Sequence, residues 1–195
     1  MSLSKRLPSD FQYKLRNIRA FVMDVDGVLT DGHLWFGAQG ELMKGFHVLD
    51  GQGIVTLKAA GILTGIITGR ASEIVNQRAT DLKIDAVVQG SRDKAEDLRK
   101  MIASWNISLE ETLYIGDDVP DICALEIVGC AVTVPDAHNS VRNIVDWTTH
   151  QSGGLGAVRE VCDLILTYSQ HVKENPHSFL KARKNTEQTI PGDNA

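Results

Sequence analysis

The sequence has little cysteine and no long apolar run. Its three cysteines, Cys123, Cys130 and Cys162, are odd in number, and no two form a CxxC pair. This argues against a disulfide framework or a cysteine zinc site and favours small apolar residues in a reducing compartment. No stretch reaches the roughly 18 apolar residues that cross a bilayer, and residues 1–20 lack the apolar core of a signal peptide. We therefore expect a cytoplasmic protein with no membrane partner.

An excess of positive charge is also missing. The chain has 20 lysines and arginines against 25 aspartates and glutamates, a formal net charge of -5. Nucleic-acid-binding domains normally carry a basic excess, so we expect no nucleic-acid partner. The 195 residues include 17 glycines and 5 prolines, and 43% of them are hydrophobic. This composition excludes collagen, a coiled coil and general disorder, and it suits one globular domain.

Short apolar segments alternate with helical patterns along most of the chain. The strand-like segments are continuous rather than alternating in polarity, which is typical of strands buried on both faces of a parallel sheet. They cover residues 18–24, 62–68, 84–89, 111–118 and 130–135. Helical patterns cover residues 51–60, 71–82, 94–105, 122–128, 138–145 and 155–168, with Ser72 as a candidate N-cap. The alternation predicts an α/β fold, a doubly wound, Rossmann-like parallel sheet with helices on both faces.

Two segments depart from this alternation. The strings HLWF and ELMKGFHV, separated by GAQG, predict a small β-hairpin insertion over about residues 33–47. The sequence after residue 170 is polar, with two prolines and little periodicity. We therefore expect one domain over residues 1–170 and a flexible polar tail over residues 171–195.

Three of the predicted strands end in polar residues, in the strings MDVDG, IITGR and YIGDD. Because ligands bind beyond the carboxyl ends of strands in such sheets, these ends should meet in one crevice. Asp24 and Asp26 point the same way in an extended chain, and carboxylates this close share a proton or hold a cation. Mg²⁺ prefers such oxygen ligands, especially beside a phosphate. An Asp-Gly surface turn is the alternative, but the buried strand that leads into these acids favours a site.

Further polar residues extend this cluster. The string GDDVPD contains Asp117, Asp118 and Asp121, of which Asp117 is nearest the strand end and is the better metal ligand. Asp118 or Asp121 could serve only to favour a helix N-terminus. Thr68 offers a hydroxyl and Lys94 a cation for a phosphate, although a capping threonine and a surface lysine explain each of them alone. The order of these residues along the chain is more informative than any one of them.

That order, D-x-D, then Thr, then Lys, then G-D-D-x-x-D, resembles the haloacid dehalogenase superfamily in its phosphatase form, over about residues 18–166. The strings DVDGVLTDGHLWF, GFHVLDGQGI, TGR, QGSRDK, GDDVPD and GGLGAVREVCDLIL are most similar to the phosphatases of 3-deoxy-D-manno-octulosonate (KDO) 8-phosphate. The resemblance implies a cap-less haloacid dehalogenase fold. It also implies Mg²⁺-dependent hydrolysis of KDO 8-phosphate, a small phosphorylated sugar acid, in lipopolysaccharide biosynthesis.

The same resemblance implies a role for each motif residue. Asp24 is the nucleophile that forms an aspartyl-phosphate, and Asp26 is the general acid and then the general base. Thr68 and Lys94 hold the transferring phosphoryl oxygens. Mg²⁺ is bound by Asp24, by the backbone carbonyl of Asp26 and by Asp117.

Candidate substrate-binding residues lie near the same strand ends. Arg70 can bind a carboxylate or phosphate through two hydrogen bonds, and Gly69 leaves its backbone amides accessible. Arg78 could bind similarly, although a surface salt bridge explains it equally well. Asp50 and Gly51 lie near the substrate loop of the family.

In this loop the chain departs from the family pattern. The family usually has N-V-R-D-G followed by another basic residue, where this chain has Leu49 and Val55. With two cations fewer, a related nine-carbon, sialic-acid-type 9-phosphate stays open as the substrate. A receiver-like signalling domain and a catalytically silent module are more distant alternatives, disfavoured by the D-x-D-G opening and the complete motif set.

The spacing of the motifs leaves no room for a cap domain, because the hairpin and single helices fill the gaps. In this the chain resembles the cap-less enzymes of the family that assemble as homotetramers, in which the hairpin and tail of one subunit close a neighbour's site. Leu34, Trp35 and Phe36 would then be interface residues. The alternative is that these side chains pack on the core of their own subunit.

Overall fold

The computed structural model describes residues 7–174. Its strands are β1 (Ala20–Met23), β2 (Trp35–Gly37), β3 (Gly40–Met43), β4 (Leu63–Thr68), β5 (Ala86–Gln89), β6 (Thr112–Ile115), β7 (Cys130–Thr133) and β8 (Trp147–Thr148). Its helices are α1 (Ser9–Leu15), α2 (Val48–Ala59), α3 (Glu73–Asp81), α4 (Lys94–Ser104), α5 (Ile122–Leu125), α6 (Asn139–Arg142), α7 (Ala157–Tyr168) and α8 (Gln170–Glu174). None of the helices in this range is long and apolar enough to cross a membrane.

Six strands form one parallel sheet in the order β5-β4-β1-β6-β7-β8. The chain runs outward from β1 to β5 and then returns to β6 on the other side of β1. This return makes the carboxyl end of β1 the topological switch point, where sheets of this kind bind ligands. The predicted doubly wound α/β fold is confirmed.

The central strands are buried on both faces. All four residues of β1 are buried, and Met23 is in register with Ile66 of β4 and Ile115 of β6. Because connections between parallel strands are right-handed, the strand order puts α2 and α3 on one face of the sheet and α4, α5 and α6 on the other. Helix α7 packs against α2, and α4 packs against α5. The two helical layers account for the unbroken apolar pattern of the strands.

The antiparallel hairpin of β2 and β3 is shorter than expected. It ends at Met43, and α2 begins already at Val48. Leu34, Trp35 and Phe36 are all exposed. The alternative that these side chains pack on the core of their own subunit is therefore wrong.

The structure differs from the sequence expectations at several ends. Ser72 does precede α3, but its hydroxyl donates to a carboxylate oxygen of Glu41 in the hairpin instead of capping the helix. The short elements α1, β8 and α8 were not predicted, and α5 and α6 are shorter than their patterns. Helix α8 occupies residues 171–174 of the expected tail, with Val172 buried, so the fold extends past residue 170. The rest of the expected tail, residues 175–195, lies outside the described residues.

Candidate active site

Three neighbouring strand ends meet at the switch point, as the sequence predicts. Asp24 follows β1 directly, and its backbone N–H donates to the carbonyl of Ile115 at 3.0 Å. Thr68 is the buried last residue of β4, and Asp117 lies two residues beyond β6. Parallel pairing of β1 with β4 and β6 thus gathers residues that are far apart in the chain.

Lys94 lies at the start of α4 and reaches into this crevice. Asp93 caps the helix by accepting from the backbone N–H of Glu96 at 3.0 Å. The buried Nζ of Lys94 lies 3.0 Å from Oδ1 of Asp24 and 2.7 Å from Oδ1 of Asp121. A cation at a helix N-terminus opposes the helix dipole. The two carboxylates offset that cost and the cost of burying the ammonium group.

Asp121 has a larger part in the site than the sequence predicts. Its Oδ1 accepts from Lys94 and from the hydroxyl of the buried Tyr114, each at 2.7 Å. Its Oδ2 accepts from the backbone N–H groups of Asp117 and Asp118 at 3.1 and 3.2 Å. Asp121 therefore holds both the lysine and the loop that carries Asp117. Asp118 remains at the surface as the N-cap of the 3-10 turn Val119–Asp121.

The acidic cluster is electrostatically suited to a divalent cation. Carboxylate oxygens of Asp24, Asp117 and Asp121 lie within 4.8 Å of one another. Burial, and then repulsion by Asp121, raises the pKa of Asp24 to about 6 despite the opposing charge of Lys94. Burial, and then repulsion by Asp24 and Asp121, raises the pKa of Asp117 to about 7. Oδ1 of Asp117 is buried and has no hydrogen-bond partner among the described residues. A hard cation would satisfy this oxygen and relieve the repulsion, so the donor set fits Mg²⁺.

Close backbone approaches fix the loop that carries Asp26. Gly27 has φ +89°, and a Cβ there would collide with the carboxylate of Asp117. A Cβ at Gly153 would in turn collide with the carbonyl of Gly27, while the N–H of Gly154 donates to the carbonyl of Val28 at 2.9 Å. These contacts hold the loop before α7 against the loop that follows β1.

Asp26 faces a second group of charged residues, which comes mainly from the hairpin. Lys44 forms an ion pair with Oδ1 of Asp26 and lies 3.0 Å from Oε1 of Glu41. Arg70 reaches the same two carboxylates at 3.7 and 4.0 Å, and its guanidinium lies 5.5 Å from the centre of the Phe36 ring. Arg70 and Gly69 are both exposed. They therefore lie at the entrance of the crevice, its side toward solvent, beside Asp26.

The other predicted substrate residues form a separate group between α2 and α3. Asp50 is buried, and its Oδ1 accepts from the backbone N–H of Arg159 at 2.7 Å, so this carboxylate caps α7. The guanidinium of Arg78 lies 5.6 Å from the centre of the Phe46 ring, and a Cβ at Gly51 would collide with it. The sequence did not predict that Asp50 is a helix cap. Asp50, Gly51 and Arg78 line a narrow pocket of which Lys94 is not part.

Comparison with known proteins identifies the family. A family model of haloacid dehalogenase-like hydrolases matches residues 85–160. The 3-deoxy-D-manno-octulosonate 8-phosphate phosphatase KdsC of Salmonella typhi is 42% identical over 153 residues, which cover 78% of this chain and 81% of that protein. The chain belongs to the KdsC family.

Solved structures agree with membership of the KdsC family. The phosphatase from Moraxella catarrhalis, in complex with a magnesium ion, a phosphate ion and KDO, superposes with a TM-score of 0.81 at 39% identity, covering 87% of this chain and 98% of that one. The cobalt-bound enzyme from Haemophilus influenzae gives a TM-score of 0.78 at 39% identity, covering 86% and 99%.

The sequence did not predict the part that four polar residues play in the site of this member of the KdsC family. Glu41, Lys44 and Tyr114 were not considered at all, and Asp121 was considered only for a helix N-terminus and not as a buried acceptor. Glu41 and Lys44 could have been noticed as the charged residues of the string ELMK, in the second half of the predicted hairpin. No local signal marks Tyr114, whose hydroxyl finds its partner only when β6 and the following turn are folded.

Proposed function

We propose that the chain is a Mg²⁺-dependent phosphatase that hydrolyses KDO 8-phosphate to KDO and phosphate. The observation that carries this proposal is the buried Lys94 between Asp24 and Asp121, beside the unpartnered oxygen of Asp117. Such a site combines a cation for a phosphoryl group with carboxylates for a metal and for nucleophilic attack. The complex of the Moraxella catarrhalis relative with magnesium, phosphate and KDO supports this interpretation.

In the proposed reaction, Asp24 attacks phosphorus while the bond from phosphorus to the sugar oxygen breaks, which leaves an aspartyl-phosphate. Asp26 donates a proton to the departing sugar oxygen and later takes one from the water that attacks the intermediate. Thr68 and Lys94 hold the phosphoryl oxygens. Asp24, Asp117 and the carbonyl of Asp26 would hold Mg²⁺, which would supply positive charge to offset the charge of the phosphoryl group.

The sugar is proposed to lie toward the entrance, where Gly69 and Arg70 offer backbone amides and a guanidinium. Leu49 and Val55, the two departures from the family pattern, lie in helix α2 and not in a loop, and both are exposed apolar residues. This loss of positive charge keeps a nine-carbon sugar-acid 9-phosphate as the second candidate substrate.

We further propose a homotetramer that works in the cytoplasm in lipopolysaccharide biosynthesis. The support for assembly is a group of exposed apolar side chains on the hairpin and at the start of α2, here named the hairpin patch. It consists of Leu34, Trp35, Phe36, Leu42, Met43 and Val48. Exposed apolar clusters of this kind commonly mark protein interfaces.

The experiment is a phosphate-release assay with Mg²⁺ or EDTA on KDO 8-phosphate, a nine-carbon sugar-acid 9-phosphate and p-nitrophenyl phosphate. We expect Mg²⁺-dependent preference for KDO 8-phosphate, loss of turnover in Asp24→Asn and near-normal turnover in Asp118→Asn. Asp118 is the matched control because its side chain only caps the adjacent turn, which an asparagine also does. Preference for the nine-carbon 9-phosphate would make that compound the substrate in place of KDO 8-phosphate. No turnover on any member of the panel would reject the phosphatase proposal.

A further inference from the structure

The site contains two lysines with buried side chains, and each serves a different catalytic acid. Lys94 lies beside Asp24. Lys44 lies beside Asp26, and its side chain is only 1% exposed. Lysine is rarely buried without a partner, because removing an ammonium group from water is costly. The burial of Lys44 against Asp26 therefore calls for an explanation that the phosphatase mechanism so far does not supply.

A chain of contacts from the hairpin holds Lys44 in place. Lys44 directly follows β3, and its Nζ also lies 3.0 Å from Oε1 of Glu41 within that strand. The other carboxylate oxygen of Glu41 accepts from the hydroxyl of Ser72, at the start of α3. The hydroxyl that does not cap α3 thus fixes Glu41, and Glu41 fixes the ammonium group beside Asp26.

Arg70 does not duplicate this contact. Its guanidinium nitrogens lie 3.7 Å from Asp26 and 4.0 Å from Glu41, and its side chain is 42% exposed. Both distances exceed those of hydrogen bonds. Lys44 therefore makes the direct contact with Asp26, whereas Arg70 lies further out, over the Phe36 ring.

We propose that Lys44 is a positioning residue for the acid and base of the reaction. By binding Oδ1 it fixes the carboxyl group of Asp26 and leaves Oδ2 for proton transfer to and from the leaving-group oxygen. This inference rests on the proposed phosphatase function. It makes the hairpin part of the catalytic machinery of its own subunit, because the lysine is placed only when β3 is docked against α3.

Substrates with different leaving groups can show whether Lys44 positions Asp26 or has only a general structural role. The ratio kcat/KM reports the steps up to the first irreversible one, here cleavage of the ester bond. The oxygen of a sugar phosphate is a poor leaving group and needs a proton from Asp26, whereas p-nitrophenolate leaves without one. A misplaced Asp26 should therefore slow the sugar phosphate much more than the aryl phosphate.

The test compares Lys44→Met with Lys58→Met on KDO 8-phosphate and p-nitrophenyl phosphate. Lys58 is the matched control, because it also pairs with an aspartate, Asp85, but at the far end of α2. We expect kcat/KM of Lys44→Met to fall about 10- to 100-fold on KDO 8-phosphate, part of the usual contribution of a general acid, and less than about 3-fold on p-nitrophenyl phosphate. Lys58→Met should lose nothing on either substrate, and Lys44→Arg should recover part of the loss.

The outcomes distinguish this inference from the proposed function. If the wild type releases phosphate and Lys44→Met loses equally on both substrates, or on neither, the positioning role is overturned. If the wild type releases none from either substrate, the phosphatase proposal fails first. Melting temperatures are measured beforehand, and if Lys44→Met is unfolded at the assay temperature, Glu41→Gln replaces it with the same expected selectivity.

Discussion

At the scale of single residues, Asp121 uses both of its oxygens to accept from four donors. Replacement by asparagine turns one oxygen into an NH₂ group that faces two of those donors. We expect Asp121→Asn to lower the free energy of unfolding by about 3 kcal/mol, because hydrogen bonds to a buried charge are lost and donors are left unsatisfied. Urea denaturation measures this loss, and kcat/KM should fall as Lys94 loses one of its anchors.

Tyr114→Phe is the comparison for this prediction. It removes a single hydrogen bond, the one to Oδ1 of Asp121, which is also the oxygen that accepts from Lys94. We expect a loss of about 1 kcal/mol there, with turnover retained. Equal losses in the two variants would show that Asp121 matters only as the partner of the tyrosine.

The raised pKa of Asp117 predicts an unusual dependence of stability on pH. Its pKa is about 7 in the folded protein and about 3.9 in an unfolded chain. Between these values the unfolded chain has lost a proton that the folded protein keeps, so raising the pH favours unfolding. This contribution to stability is lost progressively from about pH 4 to pH 7, at about 1.4 kcal/mol per pKa unit of difference.

An asparagine at position 117 has no proton to lose, and so it avoids the loss of stability that the carboxyl group of Asp117 causes as the pH rises. In EDTA at pH 8, Asp117→Asn should therefore be more stable than the wild type. The difference should vanish toward pH 4, and Mg²⁺ should stabilise the wild type much more than the variant. Urea denaturation at both pH values measures it, with Asp118→Asn as the control. A difference that does not change with pH would contradict the shifted pKa.

At the scale of elements, the strands were the most predictable part. Their apolar runs end in polar residues at the switch point, so Asp24, Thr68 and Asp117 could be placed together before the structure was known. The two residues of β8 are too few to carry a periodic pattern, and so this strand was not predicted. Lys44 could not be assigned to Asp26 because their contact depends on how the hairpin docks, which no local pattern records.

The cap of helix α7 could not be predicted from a local pattern either, because the residue that caps its N-terminus belongs to another element. It begins after Gly156, which has no side chain to cap it, and the carboxylate of Asp50 in α2 accepts from its third N–H group. We expect Asp50→Ala to lower the free energy of unfolding by about 1–2 kcal/mol, the usual value of a helix cap. Chemical denaturation measures it, and a raised KM without loss of stability would instead support the predicted contact with substrate.

At the scale of the whole molecule, the hairpin patch predicts self-association. Leu42 is 66% exposed within it, and Tyr13 of α1 is equally exposed outside it. If the patch is the contact between subunits, Leu42→Lys should dissociate the tetramer, because burying an unpaired charge in an apolar interface is costly. Tyr13→Lys should leave the tetramer intact. Light scattering after size-exclusion chromatography measures both masses, and a monomeric wild type would contradict the proposed assembly.

The order of strands in the sheet has a consequence for the newly made protein. The strand that leads into Asp24, β1, pairs on both sides with strands that the ribosome makes later, β4 and β6. Asp117 joins the cluster only when β6 has emerged, and the loop after Asp26 is supported only when Gly153 has followed it. A growing polypeptide thus contains Asp24 long before it can complete the cluster around it, which requires the chain as far as Gly153.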